Sequence, residues 1–577
     1  MMLLAALALN SILLPGDVAI YSGTAAHVLV TSTRRDVLPP GGPLIVPAGE
    51  AAALEDPAKF WRLFSQLRFH DYAQKSTKVP VGPRAIERTV QGGDSLTFGP
   101  TTITVLATPG YSAGAVSYVF EQNGKRVIAT GDLIYSGGRL LDLYSLQSEV
   151  AETKTRGYHG FAARAGQLIA SLQLIAGQKP DRLIPARGPA IEEPQREIAL
   201  LIDRLQRLLD SHFATDALRW YWGEESWQTR AKLAMGRAPS APMPMSEERD
   251  LPGWIIAIGN SRLLVSPTGA AFLLDAGYPL IVEKLEELQA AGRFKNLEGL
   301  WITHYHDDHT DFATKVAKRF GVKVIYSTKI QDIVEHPDRY RMPCLTTNPI
   351  TGETKGEAET WQWREFKMAS YFFPGQTLYH GGLSIERESG EKIFFVGDSF
   401  TPSGTDDYCL QNRNFVGEDE GYLYCLKLLE KLGGNHWLIN QHVLPMFRYD
   451  AARMERMRTE LRRRAALLGE LTPLPHANYA VDESWARIYP YASSGEPLEL
   501  RLMNHTSTEQ TFTVKWHVPA GWAVRRAEET VRVPARTEGK ARLTVEKRGA
   551  KELGVLTADV TFAGFELAQW TEALLLP

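Results

Sequence analysis

An apolar run, Leu300-Trp301-Ile302, stops at Thr303 and opens into His304-Tyr305-His306-Asp307-Asp308-His309. The run reads as the end of a buried strand. Imidazole nitrogen and carboxylate oxygen are the donors that divalent zinc, iron and manganese accept. A strand end is rigid and the loop after it can bend back, so neighbouring side chains can converge on two points. The spacing H-x-H-x-D-H lets His304 and His306 serve one cation while Asp308 and His309 serve a second. Histidine makes up only 14 of 577 residues, so this density does not follow from composition. The bland alternative is a polar loop of solvated histidines, and the strand context argues against it.

Further donors follow in order. Phe373-Pro374-Gly375-Gln376-Thr377-Leu378-Tyr379-His380 is a turn-rich loop. Ile393-Phe394-Phe395-Val396-Gly397-Asp398 is a strand ending in a carboxylate, and Trp437-Leu438-Ile439-Asn440-Gln441-His442 is one ending near an imidazole. The His304 stretch and these three segments resemble the signature of the metallo-β-lactamase superfamily. That resemblance implies an αββα sandwich with one or two metal ions at the edge between its sheets. It makes His304, His306, Asp308, His309, Asp398 and His442 metal ligands, with Asp398 bridging. The loop at 374–380 resembles the family's P-G-H-T-x-G-H, but Gln376 stands at the usual ligand position. An amide oxygen is a weak zinc donor, so His380, four residues on, is the preferred ligand and Gln376 the other candidate.

The chemistry implied is metal-dependent hydrolysis. Two Zn2+ ions are expected, with iron or manganese as alternatives. A pair of cations about 3.5–4 Å apart lowers the pKa of a bound water toward about 7. The resulting metal-bound hydroxide would attack an ester, lactone, thioester, amide (β-lactams included) or phosphoester. Asp308 would bind metal and orient the nucleophile. His380, if not a ligand, would donate a proton or a hydrogen bond to an oxyanion. Asp406 and Asp407 are either outer partners or exposed loop acids. A mononuclear iron dioxygenase of the same fold and a non-catalytic binding protein are the competing readings.

The N-terminal part repeats the pattern without its histidines. Thr31-Ser32-Thr33-Arg34-Arg35-Asp36-Val37 overlays residues 303–309, and Thr108-Pro109-Gly110-Tyr111-Ser112-Ala113-Gly114 resembles T-P-G-H-T-x-G. Thr130-Gly131-Asp132 ends a strand as Gly397-Asp398 does, and Arg187 stands in for the last histidine. Asp36 and Asp132 survive. Two carboxylates are costly to bury without a counter-charge, and Arg34 and Arg187 are placed to supply it. Distances under about 4 Å between these groups would support guanidinium groups in place of metal. Only 31 residues precede Ser32, so either the opening strands of this copy are abbreviated or the chain begins inside a longer one.

The expected class is α/β: two αββα sandwiches, then an all-β immunoglobulin-like sandwich. The expected division is 1–210 for a degenerate copy without metal ligands, 211–250 for a helical and linker connection, 251–470 for the catalytic copy and 475–577 for the β-sandwich. Residues 200–209 have helical spacing. Trp220-Tyr221-Trp222 and Trp227 read as packing between modules rather than a ligand groove, and the Pro- and Ser-rich stretch 236–253 as an exposed linker. In the last module, segments 498–502, 511–518, 530–533 and 541–545 alternate apolar and polar. Lys+Arg 64 against Asp+Glu 67 gives a net charge of −3, so neither nucleic acid nor membrane is an expected partner, and a small-molecule substrate is. Three cysteines make no disulfide framework. The apolar stretch 1–14 suits a signal segment but lacks a basic flank, which leaves a buried structural segment equally open. Export to the periplasm or beyond is favoured over the cytoplasm by association with the β-module alone.

Overall fold

The computed structural model describes residues 9–66, 78–147, 164–340, 342, 344–406, 417–419, 421–472, 486–488, 491–493, 495 and 497–577. In the second repeat, six strands lie side by side in chain order: Ile255–Ile258, Ser261–Val265, Ala270–Leu274, Asn296–Ile302, Val324–Ser327 and Glu353–Lys355. The first two pairings are antiparallel and the next three parallel. A second sheet begins as a meander of Thr360–Trp363, Phe366–Phe372, Gly381–Arg387 and Lys392–Gly397. Trp437–Asn440 then pairs parallel to Lys392–Gly397. Phe272, Leu274 and Trp301 from one sheet meet Phe366, Met368, Leu383 and Phe395 from the other. Each such side chain contributes roughly 1.5–3 kcal/mol when fully buried. Helices Ile281–Ala290 and Ala313–Phe320 cover the outer face of the first sheet through Ile281, Leu285 and Val316. This is the expected αββα layering.

The N-terminal repeat has the same connectivity, less one strand. Ile12–Leu14, Val18–Ile20, His27–Leu29, Leu44–Pro47 and Ile86–Val90 are adjacent in chain order, one antiparallel pairing followed by three parallel ones. Ser95–Phe98, Thr101–Ala107, Val116–Gln122 and Lys125–Gly131 form the meander, and Arg182–Pro185 pairs parallel to its last strand. Nothing corresponds to Ile255–Ile258 among the described residues, and the two opening strands have three residues each. Residues 1–8 of the apolar N-terminal stretch lie outside the described residues, whereas Ile12 and Leu14 point into the sandwich core.

Helix Pro194–Ala214 contains the expected 200–209 segment and packs along helix Ala451–Leu471 of the second repeat. The stretch 236–253 is not simply an exposed linker. Met243 is fully buried, and Glu247–Arg249 adds an edge strand to the second repeat's meander sheet through Met446–Arg448. Backbone groups here found a sheet edge to satisfy, which Pro and Ser content does not reveal. At the C-terminal end, strands Pro497–Met503, Gln510–His517, Glu528–Val533 and Glu538–Lys547 extend each expected segment. Together with Gly554–Phe562 and Phe565–Leu576 they belong to two sheets that share one core. This sandwich docks on the N-terminal repeat: buried Arg35 ion-pairs with Glu572 and donates to the Gln569 carbonyl at 3.0 Å. Lys78 donates to the Trp570 carbonyl and lies 4.3 Å over its ring. Cys344 and Cys425 are buried, and Cys409 lies outside the described residues. Among the described residues no helix is long and apolar enough to cross a membrane.

The corner of the N-terminal repeat that matches His304–His442 holds a buried charge cluster. Arg187 Nη2 lies 2.8 Å from Asp36 Oδ2 and 3.5 Å from Asp132 Oδ1. Arg34 lies 3.2 Å from Asp36 and 3.8 Å from Asp132, and its guanidinium caps the Tyr111 ring at 4.7 Å. Tyr135 donates to Asp132 and Tyr111 to Asp142. Burial alone would raise the Asp36 carboxyl, but Arg34 and Arg187 hold it far below its ordinary range. For Asp132, burial and the charge of Asp36 outweigh the arginines, and its pKa rises. All four separations fall within the 4 Å expected of guanidinium groups standing in for cations. Arg187→Met strips a buried carboxylate of its closest partner and should destabilise this repeat by about 3–5 kcal/mol. Arg126→Met, which breaks the exposed Arg126–Glu121 pair, should cost less than about 1 kcal/mol. Urea unfolding followed by fluorescence reads both; equal costs would mean that the buried cluster contributes no more than a surface pair.

Candidate metal centre

Four segments deliver the candidate donors to one edge of the second repeat. Asn296–Ile302 ends in Thr303 and His304, and a one-turn helix, Asp307–Thr310, follows. The parallel strands Lys392–Gly397 and Trp437–Asn440 end together in Asp398 and His442. The loop 373–380 closes the site, with Gly381 N–H bonded to the Thr303 carbonyl at 2.7 Å and His304 bridged to His380 along the backbone. Two glycines permit this crowding. A Cβ on Gly277 would lie 1.8 Å from the Asp308 carbonyl carbon, and one on Gly397 (φ +54°) 2.1 Å from His380 Nε2. Neither position admits a side chain.

The donors form two groups that share Asp398. In one, Asp398 Oδ2 lies 3.1 Å from His309 Nε2 and 3.2 Å from His442 Nε2, while Asp308 Oδ2 lies 3.1 Å from His442 and 3.6 Å from His309. In the other, His304 Nε2 and His306 Nδ1 are 2.9 Å apart, and Asp398 Oδ2 is 3.8 Å from His304 Nε2. Within each group every donor atom lies within 4.8 Å of the others. His304, His306 and His309 are fully buried; the side chains of His442 and Asp308 are 35% and 40% exposed, so the site opens on their side.

The electrostatics differ between the groups. Burial, reinforced by neighbouring imidazoles, lowers His304 far below its ordinary pKa, and burial lowers His306 to about 4. Both stand neutral with lone pairs to give. Burial also opposes protonation of His309 and His442, but Asp398 and Asp308 outweigh it, raising His309 well above its ordinary value and His442 to about 10. Asp308 is correspondingly held at about 2, its burial outweighed by His309 and His442. Protons hold this group together where a divalent cation would take their place and release them. The donor set fits a metal in chemical type as well. Gln376 Oε1 and Asp398 Oδ1 are buried with no hydrogen-bond partner, and an orphaned oxygen is costly unless something binds it.

The structure separates the two candidates in the 374–380 loop. Gln376 enters the site, its Nε2 donating to Asp398 Oδ2 at 3.2 Å. His380 joins neither group. Its Nε2 is 3.1 Å from the Val396 carbonyl, and its ring stacks on His304 with centroids 4.5 Å apart at 8°. The preference for His380 weighed donor strength alone; its Nε2 faces the Val396 carbonyl, its Nδ1 is buried with no hydrogen-bond partner, and it belongs to neither donor group. Asp406 is buried and accepts from Tyr221, so it is no exposed loop acid, and Asp407 lies outside the described residues.

Several supporting residues escaped the sequence reading. Asp275, held at φ 61°, accepts from Thr303 N and Oγ1 at 2.8 Å each and lies 2.9 Å from His309 Nδ1, which fixes the ring with Nε2 facing the centre. The sequence carried a signal for it in Leu274-Asp275-Ala276-Gly277, a strand end that resembles the family's L-I-D-x-G ahead of the histidine motif. Asn260 donates to Asp308, and fully buried Arg262 donates to the Asn440 and Val443 carbonyls at 3.2 and 2.9 Å. Neither has a local sequence signal, because each meets its partner only across the fold.

Hydroxyacylglutathione hydrolases of Brucella ovis and Brucella abortus are 29% identical to this chain over 182 residues, 28% of this chain and 64% of theirs. The chain therefore spans a little under two thirds of the curated relatives it matches. Among solved structures, a mutant metallo-β-lactamase of Legionella gormanii is similar at 14% identity and TM-score 0.30, covering 40% of this chain and 98% of its own. A metallo-β-lactamase of Cronobacter sakazakii is similar at 16% and 0.24, covering 37% and 92%. The family model of the metallo-beta-lactamase superfamily matches residues 41–187 and again 257–410, one segment in each repeat and just over half the chain in all. This chain belongs to the metallo-β-lactamase superfamily.

Proposed function

We propose that the second repeat is a metal-dependent hydrolase acting at a carbonyl carbon, with a thioester as its substrate class. The observation that carries it is the convergence of imidazoles from two separate segments on one oxygen of a third, Asp398 Oδ2, beside two orphaned oxygens. Asp308, His309, His442 and Asp398 would hold one cation. His304, His306 and Gln376 would hold a second, sharing Asp398. Cations held there supply Lewis acidity and a nucleophile from water near neutral pH.

The chain's own residues do the rest. Asp275 and Thr303 orient His309 and His304, which keeps the donor nitrogens aimed inward. His380, stacked on His304 and tied to Val396, is wall rather than ligand or proton donor. Asp308 and His442 form the exposed rim, where a substrate carbonyl meets the centre. The thioester assignment follows the Brucella relatives, whose name describes an acyl group carried on glutathione. A second reading has one observation in its favour: His304, His306 and Asp398 alone make a two-histidine, one-carboxylate set, which suits non-haem iron and oxygenation. The N-terminal repeat, with arginines at the equivalent corner, we read as a structural copy.

Metal analysis of protein purified without added metal should find about two zinc ions per chain; one iron would favour oxygenation instead. In a panel of acyl-thioesters, lactones, β-lactams and phosphodiesters, thioesters should turn over fastest, and Asp308→Ala should lower kcat about a hundredfold or more. Unchanged turnover in that variant would exclude the hydrolytic centre. Gln376→Ala should weaken the second equivalent of zinc about tenfold or more in calorimetry, while His380→Asn leaves both equivalents in place. The reverse outcome would restore His380 as the ligand.

A further inference from the structure

We propose that Tyr221, on the helix that joins the two repeats, is a positioning residue for the metal centre, because its hydroxyl ties together the two loops that carry Asp398 and His442. The proposal rests on the reading above that Asp308, His309, Asp398 and His442 hold a cation.

The joining segment is stitched to the loop after Asp398 by backbone bonds. Thr405 N–H donates to the Thr215 carbonyl at 2.8 Å, and Ala217 N–H donates to the Thr405 carbonyl at 3.0 Å. Ser403 Oγ donates to the Asp216 carbonyl at 2.8 Å and accepts from Trp220 N–H at 3.2 Å. The approach is so close that a Cβ on Gly404 would lie 2.0 Å from the Thr215 oxygen. This docking leads directly into helix Leu218–Met235 and sets the place of Tyr221 in its first turn.

From there the Tyr221 hydroxyl donates to Asp406 Oδ2 at 2.9 Å and accepts from Asn440 Nδ2 at 3.4 Å. Asp406 N–H is bonded to the Ser399 carbonyl at 2.9 Å, next to Asp398. Asn440 bonds the Phe400 carbonyl at 2.9 Å through Nδ2 and accepts the His442 N–H at 2.7 Å through Oδ1. One hydroxyl from outside the repeat thus links the loop of a carboxylate donor to the loop of an imidazole donor. His442 is the most solvent-exposed imidazole of the centre, and its strand ends two residues earlier at Asn440. Its position depends on such outside contacts more than the buried histidines' positions do. A hydroxyl that only filled space would not bond both loops.

Tyr221→Phe removes the hydroxyl and keeps the ring. Metal-free wild-type and variant protein would be titrated with zinc against a chromophoric chelator, and with cobalt to record the visible ligand-field bands. The variant should bind one equivalent about tenfold to a hundredfold more weakly, the range for loss of an outer partner. Its cobalt bands should shift, with circular dichroism unchanged. Asp406→Ala should weaken the same equivalent, and the double variant should be no weaker than the weaker single one, since both break one link. Wild-type affinity and wild-type cobalt bands in Tyr221→Phe would overturn the positioning role alone. Failure of the wild-type protein to take up metal would overturn the metal-centre reading, and this proposal with it.

Discussion

Each repeat ends its fourth meander strand in Gly-Asp, and the fold buries that aspartate. Asp398 and Asp132 are nearly inaccessible at equivalent corners of two sandwiches. A carboxylate in that position needs opposite charge close by, because desolvation otherwise costs several kcal/mol. The second repeat meets the need with imidazoles from two segments, 304–309 and 442, arranged so that a cation can sit among them. The first meets it with Arg34 and Arg187. The same strand order therefore supports two electrostatic solutions, and only one of them leaves lone pairs free for a metal.

The guanidinium solution closes the N-terminal corner chemically. Arginine has five donors and no acceptor, so it fills the space a cation would occupy and offers nothing to coordinate one. Tyr111 and Tyr135 add hydroxyl donors to Asp142 and Asp132. What remains is a scaffold that still buries its own core, lends helix Pro194–Ala214 to the second repeat and receives the C-terminal sandwich through Arg35 and Lys78. The chain is thus one packed assembly rather than separate beads.

The sequence showed the donors and their order because motif residues sit at strand ends, where local pattern and chemistry coincide. It showed the repeat for the same reason: Thr31, Asp36 and Gly131-Asp132 hold the positions of Thr303, Asp308 and Gly397-Asp398, with Arg187 where the last histidine would stand. It preferred His380 on donor strength, which says nothing of the Val396 carbonyl that its Nε2 meets. It missed Arg262 and Asn260 and read Tyr221 only as packing between modules; their partners lie 48 to 219 positions away in the chain. It also took 236–253 for exposed linker, although a free sheet edge at Met446–Arg448 recruited three of those residues. Contacts of that range are decided by the assembled fold, which no window of sequence contains.

The position of the joining segment follows from these constraints. A metal centre built on loops at a sheet edge gains precision only if something outside the loops fixes them. In the second repeat the inner side of the loops is fixed by Asp275 and Arg262, both on or beside strands of the first sheet. On the outer side the loop after Asp398 has, among the described residues, only the two-residue strands Phe400–Thr401 and Gly404–Thr405. The segment from Thr215 to Tyr221 occupies that side, and it reaches there because Pro194–Ala214 is already packed along Ala451–Leu471. The N-terminal repeat then has a physical reason to stay attached, because its last helix leads into the segment that bonds to its neighbour's loop after Asp398.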